Sequence, residues 1–296
     1  MPDREPAKVP DREPAKVTDR EPAKVPDKEA SKSIHIDPAS EEVKRLVQSQ
    51  FGGSAQQFVD SKLHREGDDL QRMVALAALT GQERVLDVAT GGGHTALAFS
   101  YHAKEVVASD LTPRMLEAAE RFVVSRGRSN VVFQQADAES MPFADADFDV
   151  VTARLAPHHF PSPPRFVAEV ARVLRPGGRF ILDDNMGPED DELDAFMDRF
   201  ERWRDPSHVR ALRLSQWQAL CESSGLRVHH TDPLTKKVYP YVEWTERMRL
   251  PRAESAALAD WLLAAPPKCR DFFEITVRDG NVVSLCATFG ILIAVK

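Results

Sequence analysis

Cysteine is scarce in this sequence. The 296 residues include three cysteines, Cys221, Cys269 and Cys286, which are far apart along the chain. Such spacing forms neither a disulfide framework nor a paired-cysteine metal motif. Because free thiols persist in reducing compartments, we expect a cytoplasmic protein.

Long apolar runs are also missing. The most apolar stretch covers residues 284–295, whereas a membrane-spanning helix needs roughly 20 such residues. The first residues are highly charged and contain no apolar core of a secretory signal. The sequence therefore predicts no membrane span and no secretory leader.

Positive charge is not in excess. The net charge is −7, and no basic block is present that could neutralise phosphates, so nucleic acid is not expected as a partner. No histidine pair or carboxylate cluster has the spacing of a metal site, so no metal is predicted. With 42% apolar and 29% charged residues, the composition is that of a globular protein with a buried core.

The N-terminal residues form a repeat. PDREPAKV begins at Pro2 and at Pro10, a variant begins at Thr18, and a degraded copy begins at Pro26. Proline, balanced charges and few aliphatic side chains predict a disordered tail over residues 1–33. A docking arm is the alternative, and a folded domain is expected over residues 34–296.

Strand and helix patterns alternate after a short N-terminal helix at residues 38–50 and a second at 68–79. Strands are predicted at 84–88, 105–110, 130–135, 148–153 and 178–183, with helices at 94–101, 113–126 and 164–174. This alternation predicts an α/β fold with a doubly wound parallel sheet. Ligands of such sheets bind beyond the carboxyl ends of the strands.

The C-terminal third continues the sheet. Residues 226–231 predict a sixth strand, and Asp279-Gly280 between apolar runs is a hairpin signal. Residues 287–295 have the apolar density of a buried strand.

Polar and glycine residues follow the predicted strands. Asp87 enters a loop that ends in Gly91-Gly92-Gly93, and Asp110 ends the second strand. A glycine loop with a following acid suits a dinucleotide or S-adenosylmethionine. The spacing Ala89-x-Gly91-x-Gly93 departs from the dinucleotide pattern, and Asp87 would repel a pyrophosphate but attract an ammonium group. A nicotinamide dehydrogenase is therefore disfavoured.

Four segments together resemble one family. They are VLDVATGGGHTAL, VVASDLTPRMLEAA, VVFQQADAESMPFADADFDVV and EVARVLRPGGRF. In this order they resemble class I S-adenosylmethionine-dependent methyltransferases, in the small-molecule branch that includes ubiquinone/menaquinone C-methyltransferases. The resemblance covers about residues 50–188, and 189–296 would complete the sheet and cap the acceptor side.

The resemblance implies a Rossmann-like methyltransferase fold. Its mostly parallel sheet has seven strands, and the antiparallel C-terminal strand is inserted beside the sixth. One departure is Ala89, because the family usually has glycine there. Alanine fits this position easily only if its φ is negative.

The resemblance also implies cofactor-binding residues. Those for the methionine part are Asp87, Ala89, Thr90, Gly91 and Gly93. Those for the adenosine part and the floor of the site are Asp110 for the ribose hydroxyls, Leu111, Asp137 and Ala138 for the adenine, and the backbone of Arg154. For Thr90, a hydrogen bond within its own turn is the alternative.

His158 and His159, after the fourth strand, are the candidate catalytic bases. They follow the strand beside which the family binds its acceptor. The alternative is that one packs against or caps the next helix while the other faces solvent. A base is required only if the nucleophile arrives protonated.

The surroundings of the site leave alternatives open. The segment 51–67, with Phe58, Ser61, Lys62 and His64, is either a lid over the cofactor or a surface helix. Residues 183–185 either line the acceptor pocket or are solvated. ERWRDPSHVR (201–210) is expected as a polar connection between helices, with a pocket wall as the alternative. Tyr241, Trp244, Met248 and Trp261 either belong to the core or roof the acceptor pocket.

The sequence thus predicts methyl transfer from S-adenosyl-L-methionine to a small, apolar or ring-containing acceptor. The transfer would be an in-line displacement, so positioning and water exclusion supply much of the rate. A catalytically inactive sensor that binds the same cofactor is the alternative. The oligomeric state is not predicted.

Overall fold

The computed structural model describes residues 38–60 and 67–296, which form one mixed sheet covered by helices. The predicted tail, residues 1–33, lies outside these residues. The strands are β1 (Arg84–Val88), β2 (Glu105–Asp110), β3 (Val131–Gln135), β4 (Phe148–Arg154), β5 (Leu174–Asn185), β6 (Arg227–Thr231), β7 (Thr235–Pro240), β8 (Thr276–Arg278) and β9 (Asn281–Val295).

The α-helices connect these strands or precede the sheet, and a 3₁₀ turn at Pro157–His159 follows β4. They are α1 (Pro38–Gly52), α2 (Ala55–Asp60), α3 (Asp68–Ala77), α4 (His94–Ser100), α5 (Pro113–Ser125), α6 (Pro163–Val173), α7 (Asp191–Arg204), α8 (Leu214–Ser223), α9 (Tyr241–Arg247), α10 (Arg252–Leu263) and α11 (Pro267–Phe272). Among the described residues, no helix has both the length and the apolar character needed to cross a bilayer.

The strand order confirms the predicted fold class. The sheet runs β3-β2-β1-β4-β5-β9-β6, with β1 to β5 parallel and β9 antiparallel between β5 and β6. Successive strands are added on one side of β1 up to β3 and then on its other side from β4 onward, so the strand order reverses at β1, between β2 and β4. This is the switch point at which ligands of doubly wound sheets bind.

Two features extend the predicted sheet. β7 and β8 both pair with β9, whose 15 residues are long enough to meet four partners. The segment Pro176-Gly177-Gly178 lies inside β5, where the pairing slips from Phe148↔Leu174 to Val150↔Arg179. Gly177 has φ +79 there, so the extra residues form an irregularity in the strand.

Alternation along the central strands builds a core on both faces of the sheet. Phe180 and Leu182 pack in one cluster with Trp217, whereas Ile181 packs in another with Met73. Because successive side chains of a strand point to opposite faces, an unbroken apolar run is what a doubly covered strand requires.

A third cluster forms under the C-terminal helices. Phe196 and Phe200 of α7 pack there with Phe273 and Trp244. Tyr241 and Trp244 belong to this core, and Trp261 is partly buried against it. Trp244 and Met248 also line a second cavity, which is described below.

The turn after β1 contains a strained alanine. Ala89 has φ +53, so the easy accommodation expected for a negative φ was wrong. A left-handed conformation costs an L-residue roughly 1–2 kcal/mol because Cβ approaches the following carbonyl oxygen. The turn keeps this conformation because Thr90 N donates to the carbonyl of Ser109 (2.8 Å) and Gly93 N donates to that of Thr90 (2.9 Å).

We expect Ala89→Gly to raise the free energy of unfolding by about 0.5–1 kcal/mol. The relief of strain exceeds the extra chain entropy of glycine in the unfolded state. Urea denaturation at neutral pH measures the change. The matched control is Ala256→Gly in the exposed face of α10, which should lose about 1 kcal/mol. A loss of stability in Ala89→Gly would contradict the strain.

Candidate active site

The main cleft opens at the carboxyl ends of β1 to β4. Its empty volume, which includes space open to solvent, is about 990 Å³. Of the residues predicted to bind a cofactor, those that line it are Ala89, Thr90, Gly91, Asp110, Leu111, Asp137, Ala138 and Arg154. Asp87 and Gly93 are not in the lining and lie behind it.

The three glycines after β1 do different work. Gly91 has φ +54 and lines the cleft. A Cβ on Gly92 would lie 3.0 Å from the backbone of Phe58 in α2, and a Cβ on Gly93 would lie 3.0 Å from the Cβ of Ala119 in α5. Gly91 and Gly93, whose φ is +82, therefore permit the turn, and Gly92 and Gly93 permit helices to pack closely on the loop.

Asp87 is a buried carboxyl at the end of β1. It is 1% exposed. One oxygen accepts from the Thr90 hydroxyl at 2.6 Å and the other from the Thr152 hydroxyl at 2.7 Å. Burial raises the pKa of Asp87 to about 6, although these hydroxyls and the charge of Arg154 act in the opposite direction. At neutral pH the group is an anion, and a cation next to it would be stabilised.

Asp110 connects the end of β2 to the glycine loop. Its Oδ2 accepts from the Gly91 amide at 3.0 Å, and its Oδ1 accepts from the Thr112 amide at 2.8 Å. Burial raises the pKa of Asp110, and these backbone donors oppose the rise. The carboxyl lines the cleft and keeps acceptor capacity for hydroxyl donors.

Helix α1 is fastened over the cleft by a lysine that sequence analysis missed. Lys44 Nζ lies 2.7 Å from Asp137 Oδ2 and 3.0 Å from Glu139 Oε2, and Gln48 Nε2 donates to the Leu111 carbonyl at 2.9 Å. Burial would lower the pKa of Lys44, but the two carboxylates raise it above its ordinary value. No local pattern marks Lys44, because Asp137 is 93 residues away along the chain.

The segment around Phe51 and Phe58 covers the cleft, as a lid would. Both rings line it, with centroids 5.2 Å apart. His94 Nε2 lies 3.1 Å from the Phe58 carbonyl oxygen, and since a carbonyl only accepts, this nitrogen donates. Ser61, Lys62 and His64 lie outside the described residues.

Arg154, at the end of β4, holds a buried ion network. Its Nη2 lies 2.5 Å from Asp69 of α3, and its Nε lies 3.5 Å from Asp183 of β5. Burial would raise the pKa of Asp69, but Arg154 holds it near 2. Burial raises the pKa of Asp183 well above its ordinary value. The side chain of Arg154 therefore joins three elements behind the cleft.

His158 and His159 are both buried, so neither faces solvent as the alternative reading required. His158 Nδ1 lies 2.6 Å from Asp184 Oδ1, and His159 Nδ1 lies 2.9 Å from the Ser207 carbonyl. Since neither partner atom can donate when Asp184 is ionised, both Nδ1 atoms carry the proton. The Nε2 atom of His159 is thereby left as the basic nitrogen in the neutral ring.

The adjacent rings of His158 and His159 differ in the direction in which their pKa is shifted. Burial would lower the pKa of His158, but the Asp184 carboxylate raises it above its ordinary value. Burial and the charge of His158 lower the pKa of His159 to about 4. At neutral pH, the His159 ring is uncharged and its Nε2 can accept a hydrogen bond, whereas the neighbouring His158 ring is more basic.

A second cavity of about 550 Å³ adjoins the main cleft. The two share Phe51, Phe58, Leu155 and His159 as lining. The remaining lining of the second cavity is His158, Asn185, Glu201, Arg204, Asp205, Tyr239, Trp244, Arg247, Met248 and Phe289.

ERWRDPSHVR forms a wall of this cavity, so the expectation of a polar connection alone was wrong. Glu201, Arg204 and Asp205 are buried and line it. The amides of Val209 and Arg210 donate to the His158 carbonyl at 2.9 and 3.0 Å. These two bonds hold the segment against the turn after β4, which the sequence pattern does not show.

The acids that end β5 are buried and not solvated. Asp183 and Asp184 are 1% and 0% exposed, and Asn185 lines the second cavity. Asp184 also accepts from the His158 amide at 2.8 Å. The antiparallel β9 covers this strand end, and therefore the acids meet protein groups.

The buried histidines are not assembled as a metal site. The ring centroids of His158 and His208 are 5.5 Å apart. Over residues 38–60 and 67–296, no group of three or more His, Cys, Asp or Glu side chains could hold a metal ion.

The residues of the main cleft fit S-adenosylmethionine, the cofactor implied by the resemblance. Asp110 faces the cleft with acceptors that suit ribose hydroxyls, and the negative charge of Asp87, behind the lining, suits a methionine ammonium held on the cleft side of the loop. Both oxygens of Asp137 already accept, from Lys44 and from the Glu139 amide, and each keeps a lone pair for an amino group.

Known proteins share both the sequence and the fold. The profile of the family described as "methyltransferase domain" matches residues 86–182. The uncharacterized methyltransferase YcgJ of Bacillus subtilis is 40% identical over 237 residues, which cover 80% of this chain and 93% of YcgJ. The solved structure of B. subtilis YcgJ superposes with a TM-score of 0.75 at 39% identity, over 77% of this chain and 97% of that one.

A third relative is the demethylmenaquinone methyltransferase of Thermus thermophilus. It is 40% identical over 121 residues, which cover 39% of this chain and 54% of the relative. The similarity to YcgJ extends over most of both proteins, and the cleft has the composition that the cofactor requires. The chain therefore belongs to the family of class I S-adenosylmethionine-dependent methyltransferases.

Proposed function

We propose that this methyltransferase uses the main cleft for S-adenosylmethionine and the second cavity for a small, ring-containing or apolar acceptor. The observation that carries the proposal is the shared lining of the two cavities, Phe51, Phe58, Leu155 and His159. A donor and an acceptor on either side of this lining would be held together with water excluded, which supplies much of the rate of methyl transfer.

The methionine part of the cofactor would bind at the glycine loop. We assign the ammonium group to Asp87, whose buried carboxyl Thr90 and Thr152 orient. Ala89 and Gly91 line the cleft where the methionine part would lie. When bound, S-adenosylmethionine supplies a methyl group on a sulfonium centre, which a nucleophile can displace in line.

The adenosine part would bind across β2 and β3. Asp110 would accept from the ribose hydroxyls, and Leu111 would pack on the adenine. Asp137 would accept from the adenine amino group while the Ala138 amide donates to the ring. The ion pair with Lys44 (2.7 Å) supports this assignment, because it holds the Asp137 carboxylate in the lining of the cleft.

The acceptor is assigned from the walls of the second cavity. Phe51, Phe58, Trp244, Met248 and Phe289 give it apolar surfaces on which a ring can pack. A relative named for methylation of demethylmenaquinone supports a ring-containing acceptor.

His159 would orient the acceptor and accept its proton. Its Nδ1–H is engaged by the Ser207 carbonyl, and its ring lines both cavities. His158, which Asp184 orients, lines only the second cavity. We assign His159 to the acceptor proton and His158 to stabilising negative charge that develops on the acceptor.

Substitution of Asp110 tests the cofactor assignment. We expect Asp110→Asn to weaken S-adenosylmethionine binding by about 10- to 100-fold, because hydrogen bonds to a charged acceptor contribute roughly 1.5–3 kcal/mol. Calorimetric titration with S-adenosylmethionine, S-adenosylhomocysteine and NAD measures the affinities. The matched control is Glu117→Gln on the exposed face of α5.

Wild-type protein should bind both adenosyl-sulfur ligands and not NAD. An unchanged affinity in Asp110→Asn would remove Asp110 from the site. Tight NAD binding would favour the dehydrogenase alternative.

The pKa of Asp87, raised to about 6, predicts a pH dependence of binding. The ionised carboxyl attracts the ammonium group, and protonation removes this attraction as pH falls below 6. We expect binding to be roughly tenfold weaker at pH 5 than at pH 7. Titrations across this range measure it, with Asp87→Asn as the variant that should bind weakly at every pH. Equal affinity at both pH values in wild type would contradict the role of Asp87.

His159→Gln separates binding from transfer. We expect the rate of methyl transfer to fall by about 10²-fold or more, as for loss of a general base, with S-adenosylmethionine affinity nearly unchanged. Transfer of labelled methyl to a panel of phenols, quinols and aromatic amines measures the rate. Wild-type rates in His159→Gln would exclude the role. Tight cofactor binding with no acceptor methylated by wild type would favour the sensor alternative.

A further inference from the structure

The part of the second cavity's lining that the main cleft does not share, here called the far wall, contains two guanidinium groups and the carboxylates of Glu201 and Asp205. Arg204, at the end of α7, lies 2.9 Å from Glu201 through its Nη2. Arg247, at the end of α9, lines the same cavity. Arg204 is 8% exposed and Glu201 is 2% exposed, so this pair is withdrawn from water.

Arg247 is a cation without an ion pair. In the described part of the chain, no carboxylate lies within ion-pair distance of it and no group accepts a hydrogen bond from it; its guanidinium lies 6.0 Å from the centre of the Tyr239 ring. Burial lowers the pKa of Arg247, and the nearby charge of Arg204 adds to this effect. A half-buried guanidinium in this setting lacks the partner that would offset its desolvation.

Arg204 also keeps a donor unused. Its Nε is buried and has no hydrogen-bond partner among the described residues. Its guanidinium carbon lies 4.7 Å from the centre of the Trp244 ring. A buried N–H donor without an acceptor costs free energy, which a ligand acceptor would recover.

The other charged groups of the cavity have partners. Asp205 accepts from the Ser207 amide at 2.9 Å and from its hydroxyl at 2.6 Å. His158 is paired with Asp184. The formal charges of Arg204, Arg247, Glu201 and Asp205 cancel. Among the described residues, however, Arg247 is the charged side chain of this lining that has neither a hydrogen-bond partner nor an ion-pair partner, and the carboxylate of a ligand would supply one.

We propose that the methyl acceptor is a ring-containing carboxylic acid whose carboxylate binds Arg247 and Arg204. This inference rests on the proposed function, since it assigns a substrate class to the proposed acceptor cavity. The carboxylate would lie on the far wall, and the ring would pack between Trp244 and Phe289. The nucleophilic atom would then point to His159, on the side shared with the main cleft. A planar carboxylate matches the planar donors of a guanidinium.

The test compares acids with their neutral amides on protein saturated with S-adenosylhomocysteine. The probes are 4-hydroxybenzoate with 4-hydroxybenzamide, and indole-3-acetate with indole-3-acetamide, titrated by calorimetry or ligand-observed NMR. We expect the acid of at least one pair to bind at least about tenfold more tightly than its amide, as a charge-assisted hydrogen bond gives.

Arg247→Gln should reduce this preference to about one while the affinity for S-adenosylhomocysteine is unchanged. The matched control is Arg252→Gln, which removes the same charge from the exposed start of α10 and should keep the preference. If Arg247→Gln fails to fold, Arg247→Lys keeps the charge without the planar donors and should retain a reduced preference.

The outcomes separate this inference from the function on which it rests. Binding of S-adenosylhomocysteine with no acid preferred over its amide would overturn the carboxylate assignment alone. A preference that persists unchanged in Arg247→Gln, or in Arg247→Lys where only that variant folds, would overturn it too. Failure of wild type to bind S-adenosylhomocysteine would overturn both proposals.

Discussion

The buried carboxyl of Asp87 is the group around which the site is built. Its two oxygens accept from Thr90, in the loop after β1, and from Thr152, on β4. These bonds join the central strands to the glycine loop at the point where the strand order of the sheet reverses. An ionised carboxyl is stable there only with such donors, since burial disfavours the charged form. The position of the loop, and of what binds to it, depends on this arrangement.

Ion pairs between buried groups hold the rest of the cleft together in the same way. Lys44 fastens α1 to carboxylates that follow β3, and Arg154 joins α3 to β5. Removing one partner of such a buried pair would leave an uncompensated charge. The covering helices are therefore attached to acids that lie at or just after the strand ends. The acids that form the floor of the cleft thus also hold its cover in place.

The second cavity differs from the cleft in how it is assembled. Its walls come from α7, α9 and β9, which are far from the cofactor loops in sequence. Apolar rings form part of it, and Arg204, Glu201 and Arg247 introduce charge into that apolar setting. Most of its lining lies outside residues 86–182, the range matched by the family profile.

Much of the cofactor side was predictable because it depends on local pattern. Strand ends, the glycine loop and Asp110 follow from alternation and from turn chemistry, and the predicted bounds of β1 and β2 agree with the structure. Ala89 shows the limit even there, since its residue type indicated a relaxed turn and its φ is +53. Backbone angles in a tight loop are imposed by the hydrogen bonds around it.

The sequence by itself determined the α/β fold, the family and the set of strand-end residues from which a cofactor site is drawn. Only the tertiary structure decided that Lys44 meets Asp137, that Asp184 orients His158 and that no carboxylate of the described residues pairs with Arg247. The physical reason is the separation along the chain over which each kind of interaction acts. Periodicity and turn signals act between neighbours in the chain, whereas ion pairs and buried hydrogen bonds join groups that only the folded sheet brings together.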